Sequence, residues 1–191
     1  MIEFDDSFEV PAAPDRVMQR LADVPRVAQC VPGASIEGRD EEGAWLGTMT
    51  AALGPKKLRF AGKVRCDFEM AARTGTITGG GNAGRGASIT VRTVFDVREA
   101  PGSTAAAPRS VVAVHSKTDM QGVLASFAAA GGAVLAAQLM REFSAALTAQ
   151  LSAEAQTRGP ASAAMPLGTL LWRSLRSALR RLFGARGGKA A

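Results

Sequence analysis

"LRFAGKVRCDFEM", residues 58–70, decides the fold class. Leu58, Phe60, Gly62, Val64, Cys66, Phe68 and Met70 take one set of alternate positions, and Arg59, Lys63, Arg65, Asp67 and Glu69 take the other. Successive side chains of a β-strand point to opposite faces, so this pattern is a strand with one dry and one wet face. Such a strand fits an antiparallel sheet that is covered on its inner side and bathed by water on its outer side.

The flanking segments extend the sheet. Ala44 to Leu53 reads as a strand ending in the turn Gly54-Pro55, and Thr74 to Thr78, Ser88 to Val97 and Val111 to Thr118 read as further strands. At the N-terminus Ile2, Phe4, Phe8 and Val10 alternate with Glu3, Asp5 and Glu9 until PAAP (11–14) breaks the strand. Asp15 to Asp23 carries Val17, Met18 and Leu21 at helical spacing, and a second short helix follows Pro25 and ends at Pro32-Gly33. Glu99 to Ser110 has the composition of a surface loop. From Val123 to Ala155 an approximate i, i+3, i+4 stripe predicts one long helix, with Leu124, Phe127, Gly131, Val134, Leu135, Leu139, Phe143, Leu147 and Leu151 on it. Met120 to Met140 carries no charge and is long enough to cross a bilayer, but its glycines, glutamines and alanines make it too weakly hydrophobic, so a buried helix is expected. Strand, two short helices, about six more strands and a long helix, in that order, make an α+β domain with the helix across the dry face of the sheet.

Charge separates this domain from the C-terminal segment. The chain carries a net charge of +6, yet Arg158, Arg173, Arg176, Arg180, Arg181, Arg186 and Lys189 lie at or beyond residue 158, where there is no acid. The remaining 16 of the 23 basic residues face all 17 acids, so the domain itself is close to neutral. At about 100° per residue, Leu167, Leu171, Trp172, Leu175, Leu179, Leu182 and Phe183 gather on one side of a helix, and Arg173, Arg176, Arg180 and Arg181 fill the other. A helix of this type lies in the headgroup plane of an anionic membrane leaflet and does not span it. The expected organisation is a ligand-binding domain over 1–155, a linker over 156–166, an amphipathic membrane-binding helix over 167–184 and a disordered basic end over 185–191. With 5% aromatics and no tyrosine, nucleic acid is not an expected partner.

No catalytic constellation stands out. Gly79 to Gly84 spells G-x-G-x-x-G, but a strand pattern follows where a dinucleotide site needs a helix, so the run reads as a glycine-rich turn or bulge. His115 is the only histidine, which excludes a histidine-rich metal site, and Cys30 and Cys66 lack metal-ligand or redox spacing. No catalytic or metal-binding residue and no covalent cofactor is expected. The acidic, alternating N-terminus differs from a signal peptide, and a thiol-reduced, cytoplasmic setting is the expectation.

The order of elements, with "CVPGASIEG" (30–38), "LGPKKLRFAGKVR" (53–65) and "MQGVLASFAAAGGAVLAAQLMREF" (120–143), resembles the CoxG family of carbon monoxide dehydrogenase subunits, a branch of the START-like, helix-grip superfamily. The resemblance covers about residues 1–150 and rests on the Pro32-Gly33 turn, the Gly54-Pro55 turn before Phe60, Gly62, Lys63 and Val64, Gly122 ahead of the last helix, and Phe143. Met18 departs from it, where tryptophan is common, as does the run from Gly79 to Gly86. It implies a curved antiparallel sheet of six to seven strands gripping the long helix around an apolar cavity. It further implies a non-enzymatic accessory protein of a molybdenum hydroxylase of the carbon monoxide dehydrogenase type, attached peripherally to the cytoplasmic face of the inner membrane. The implied guest is a hydrophobic molecule such as a respiratory quinone. Trp45, Met49, Phe60, Phe68, Phe127, Leu135, Leu139 and Phe143 fall on the expected inner faces and are the candidate cavity residues. Two rival readings are a START-like aromatase or cyclase, for which His115 or Ser116 would supply polar chemistry, and an assembly scaffold whose tail binds protein.

Overall fold

The computed structural model describes residues 1–53, 56–84 and 86–158; within these, the description of 52, 53, 56, 123, 126–131, 133 and 158 is confined to the backbone. The chain divides into two compact units, 1–154 and 155–191. The first holds all the strands, and only the last helical turn is described in the second.

Strand β1 (Ile2–Val10) leads into α1 (Pro14–Ala22), α2 (Val24–Val27) and a 3₁₀ turn (Ala28–Cys30). Then come β2 (Ala34–Arg39), β3 (Trp45–Leu53), β4 (Lys56–Glu69), β5 (Thr74–Asn82), β6 (Ser88–Glu99), β7 (Ser110–Gln121) and α3 (Val123–Arg158). All seven strands join one antiparallel sheet in the order β1-β7-β6-β5-β4-β3-β2. This is the antiparallel sheet with a long helix expected from the alternation, in the helix-grip form that the family resemblance implied.

The register shows which residues face inward. Trp45 stands opposite Val64, Gly47 opposite Gly62, and Met49 opposite Phe60. On the other side of β4, Gly62 meets Gly81, Val64 meets Gly79, and Cys66 meets Ile77. Gly62 sits where neighbouring backbone comes closest: an added Cβ would lie 2.0 Å from the Gly80 carbonyl oxygen, and one at Gly47 would lie 2.3 Å from that of Ser35. Glycine within a strand marks close backbone approach or a bend, and these two positions let the middle of the sheet curve around α3.

Two hydrophobic clusters close the inner face. At one, Val17, Met18 and Leu21 of α1 pack with Val10, Phe95, Val97, Val112, Leu147 and Leu151, and Met18 is fully buried. At the other, Phe60, Ala87 and Leu124 are buried, with Leu58, Ile89, Met120 and Leu135 packed on them. An ion cluster ties the helices together: Glu154 of α3 meets Arg20, Arg16 at 3.0 Å and Arg26 at 3.5 Å.

Several elements differ from the sequence expectation. The run Gly79 to Gly81 lies inside β5 rather than in a turn, paired on both sides with β4 and β6. Strand pairing supplies the backbone hydrogen bonds, so absent side chains do not end the strand. Strand β2 adds to the strands named from the sequence; its residues alternate in burial, and its register against β3 shifts between Ile36 and Gly38. Met70, grouped with the dry face, lies past the end of β4 and is exposed. Helix α3 runs to Arg158, so residues 156–158 of the expected linker are helical. The rest of that linker, the amphipathic helix over 167–184 and the basic end over 185–191 lie outside the described residues.

Candidate functional site: an apolar cavity between sheet and helix

A cavity of about 660 Å³ lies against the inner face of β3, β4 and β5 and is bordered by α3 and by the α1–α2 region. Its volume falls in the range of small-molecule sites, roughly 300–1,000 Å³. Strand alternation delivers Trp45 and Met49 from β3 and Phe60 and Phe68 from β4, while α3 delivers Leu135 and Leu139. Of the candidate residues these six line the cavity. Phe143 is placed elsewhere, edge-on to Phe8 with ring centroids 6.0 Å apart, packed on the first cluster. It follows Leu139 by one helical turn, where α3 has left the cavity and joined that core. The Phe127 side chain lies outside the described residues.

Other lining residues were open to the same reasoning or hidden from it. Val64, Ile77 and Val91 share the inward phase of their strands, so alternation was a signal for them. Val24, Val27 and Val31 come from α2 and the 3₁₀ region, which have no periodicity long enough to reveal a face. The strand glycines create room as much as curvature: at Gly79 a Cβ would stand 3.2 Å from Val64 Cγ2, inside the wall.

The chemistry of the wall is almost entirely hydrocarbon. Cys66 contributes a thiol whose pKa burial pushes up to about 11, with Asp67 adding to the rise and the Arg39 charge opposing it. It stays protonated and weakly nucleophilic at neutral pH. Cys30 is buried in the first cluster, its pKa raised by burial. His115 and Ser116 are neighbours on β7 and point to opposite faces. His115 Nδ1 shares a 2.7 Å hydrogen bond with Asp5 Oδ1 on the outer side, and the Ser116 and Thr93 hydroxyls bond each other at 2.9 Å on the inner side. Neither residue lines the cavity. The outer side of the sheet holds a broad, shallow depression edged by Asp5, Asp67, Glu69 and Asp96, open to water. Among the described residues no group of three or more His, Cys, Asp or Glu is arranged to hold a metal ion.

The β2–β3 hairpin next to Trp45 is charged. Asp40 accepts the Ala44 N–H at 2.8 Å and the Glu42 N–H at 3.1 Å. The Ala44 bond is the largest influence holding its carboxyl below the usual range, and Lys63 Nζ at 3.4 Å adds to it. The Arg39 guanidinium lies 3.9 Å above the centre of the Trp45 ring.

The family model for CoxG, a carbon monoxide dehydrogenase subunit, matches residues 7–152. The chain belongs to the CoxG family. Solved structures share the architecture of this CoxG-family chain at low identity. A conserved protein from Geobacillus kaustophilus is similar with a TM-score of 0.68 and 14% identity, over 79% of this chain and 95% of that one. A protein from Thermus thermophilus is similar with a TM-score of 0.53 and 14% identity, over 80% of this chain and 99% of that one. The Zhui aromatase/cyclase from Streptomyces sp. R1128 is similar with a TM-score of 0.51 and 17% identity, over 85% of this chain and 98% of that one. No curated protein matches the chain. At these identities the likeness establishes the CoxG chain's START-like fold and leaves its ligand to its own residues. No helix among the described residues is long and apolar enough to cross a membrane.

Proposed function

We propose that this protein is a non-enzymatic carrier and adaptor. Its cavity takes a hydrophobic guest, with an isoprenoid quinone as the first candidate, and its C-terminal segment holds the domain at the inner membrane leaflet. Its partner would be a molybdenum hydroxylase of the carbon monoxide dehydrogenase type. CoxG family membership supports the partner, and the sequence of residues 167–183 supports the membrane.

The observation that carries the reading is the wall of the cavity: aromatic and aliphatic side chains and strand glycines around about 660 Å³, with no cluster of converging polar side chains among the described residues. Burying a chain there removes apolar surface from water at about 25 cal/mol per Å². An aromatase or cyclase needs polar groups turned toward the substrate. The two residues that sequence offered for that role, His115 and Ser116, are separated by the sheet and already bonded.

Mass spectrometry of an organic extract from purified protein tests the guest. An isoprenoid quinone or other long-chain molecule is expected in the extract of the natural protein and depleted from that of Leu135→Trp, whose indole would occupy the cavity. Extracts with no such molecule, from protein prepared in cells that make quinones, would count against carriage.

A further inference from the structure

Strand β2 contains a single irregularity, and its effect is to turn one side chain around. Ile36 pairs with Gly47 on the inner face, the register then slips, and Gly38 pairs with Leu46 and Arg39 with Trp45. Residues directly opposite each other on antiparallel strands share a face. Trp45 lines the cavity, so Arg39 is on the inner side too. Without the slip, Gly38 would oppose Trp45 and Arg39 would point to the outer face. Bulges are used to re-aim side chains beside functional sites.

The re-aimed charge is unpaired. Glu37 is engaged by Arg59 at 3.5 Å, and Asp40 by Lys63 and two backbone N–H groups. Arg39 forms no ion pair with any described residue; its one partner among them is the Trp45 ring, on which its guanidinium lies with Cζ 3.9 Å from the centroid. A guanidinium held over an aromatic face by its carbon keeps its N–H donors free for a further partner. Its charge also reaches Cys66, a second cavity residue. A carbon-lined hollow with one stacked, unpaired, forked donor at its rim suits a molecule with a hydrocarbon body and an oxygen-bearing head.

We propose that Arg39 is the head-group contact of the cavity: the guest binds with its chain inward and an acceptor oxygen of its head on the Arg39 guanidinium, held in place by Trp45 and by the bulge in β2. This rests on the carrier reading above and adds orientation and head chemistry to it. A carboxylate and a quinone carbonyl present the same acceptor chemistry, and the test separates them.

Full-length protein and its Arg39→Leu and Arg39→Lys variants are titrated with cis-parinaric acid, with diphenylhexatriene, which has no head, and with a short-tailed benzoquinone by displacement. Arg39 is exposed, so neither variant threatens folding. Removing a charge-assisted hydrogen bond is expected to weaken the acid by about tenfold, and removing a neutral one to weaken the quinone by about threefold. Diphenylhexatriene is expected to bind wild type and R39L equally, and R39K to recover part of the acid affinity. A loss confined to the acid assigns the head to an anion, and a loss for both headed probes assigns it to either kind of oxygen; each supports the role of Arg39. Unchanged affinity of R39L for the acid and the quinone overturns it and leaves carriage standing. Failure of all three probes to bind the wild-type protein overturns carriage and this inference together.

Discussion

Gly62 is visible in the sequence only as a gap in the inward row of β4, between Phe60 and Val64. What makes it necessary is a neighbour on the next strand: the Gly80 carbonyl, 2.0 Å from where a Cβ would stand. Gly62→Ala is therefore expected to destabilise the domain by about 2–3 kcal/mol, because the β5 backbone at Gly80 and Gly81 must move. Gly38→Ala, with nothing within 4 Å of the added carbon, serves as its control and is expected to change stability by about 0.5 kcal/mol or less. Urea titration of the two variants checks the contrast; similar losses would mean that the curvature does not depend on Gly62. Alternation thus identified inward residues, while the reason for a glycine among them lay in strand pairing, which no local pattern encodes. The same holds for Arg39, whose face is set by a slip in register.

Helices show the opposite balance. The extent of α3 could be read from its apolar stripe, but its fastening could not, because the charges that hold it lie on two other short helices. Arg20 is 7% exposed, and its Nε has no hydrogen-bond partner, so its charge depends on Glu154. Removing one member of a buried pair leaves the other charge uncompensated. Glu154→Gln is expected to cost about 3 kcal/mol, whereas Arg16→Met, which removes a more exposed member of the cluster, should cost about 1 kcal/mol or less. Guanidinium unfolding followed by circular dichroism measures both. Equal and small losses would show that apolar packing of Leu147 and Leu151 fastens α3 without help from the ions. Phe143 belongs to this scale as well: it lies on the same stripe as Leu135 and Leu139, yet one helical turn carries it from the cavity to the core beside Phe8.

For the molecule as a whole, the segregation of strands and helices was sufficient to give the α+β class, and the quoted turns and helix were sufficient to point to the CoxG family. Six of eight candidate cavity residues line the hollow because they share strand or helix phase, and the α2 contribution was hidden by its short length. The tail is the remaining large-scale feature of the sequence, and its prediction concerns charge. Replacing Arg173, Arg176, Arg180 and Arg181 with glutamine in the full chain removes about 4 kcal/mol of attraction to an anionic leaflet at roughly 1 kcal/mol each. The natural chain is expected to float with anionic liposomes at low salt and the variant to remain at the bottom of the gradient. Equal flotation of the two would remove electrostatics as the basis of attachment.

The hollow between the two clusters also bears on how the protein responds to compression. Unfolding eliminates internal voids, and hydrostatic pressure favours whichever state occupies less volume. Whatever part of the hollow beneath α3 water leaves empty gives a guest-free molecule more to gain by collapsing or unfolding under load than the same molecule when filled. On the proposed function, a guest would act as a missing piece of the interior, and releasing it would leave behind a softer protein than the one that bound it.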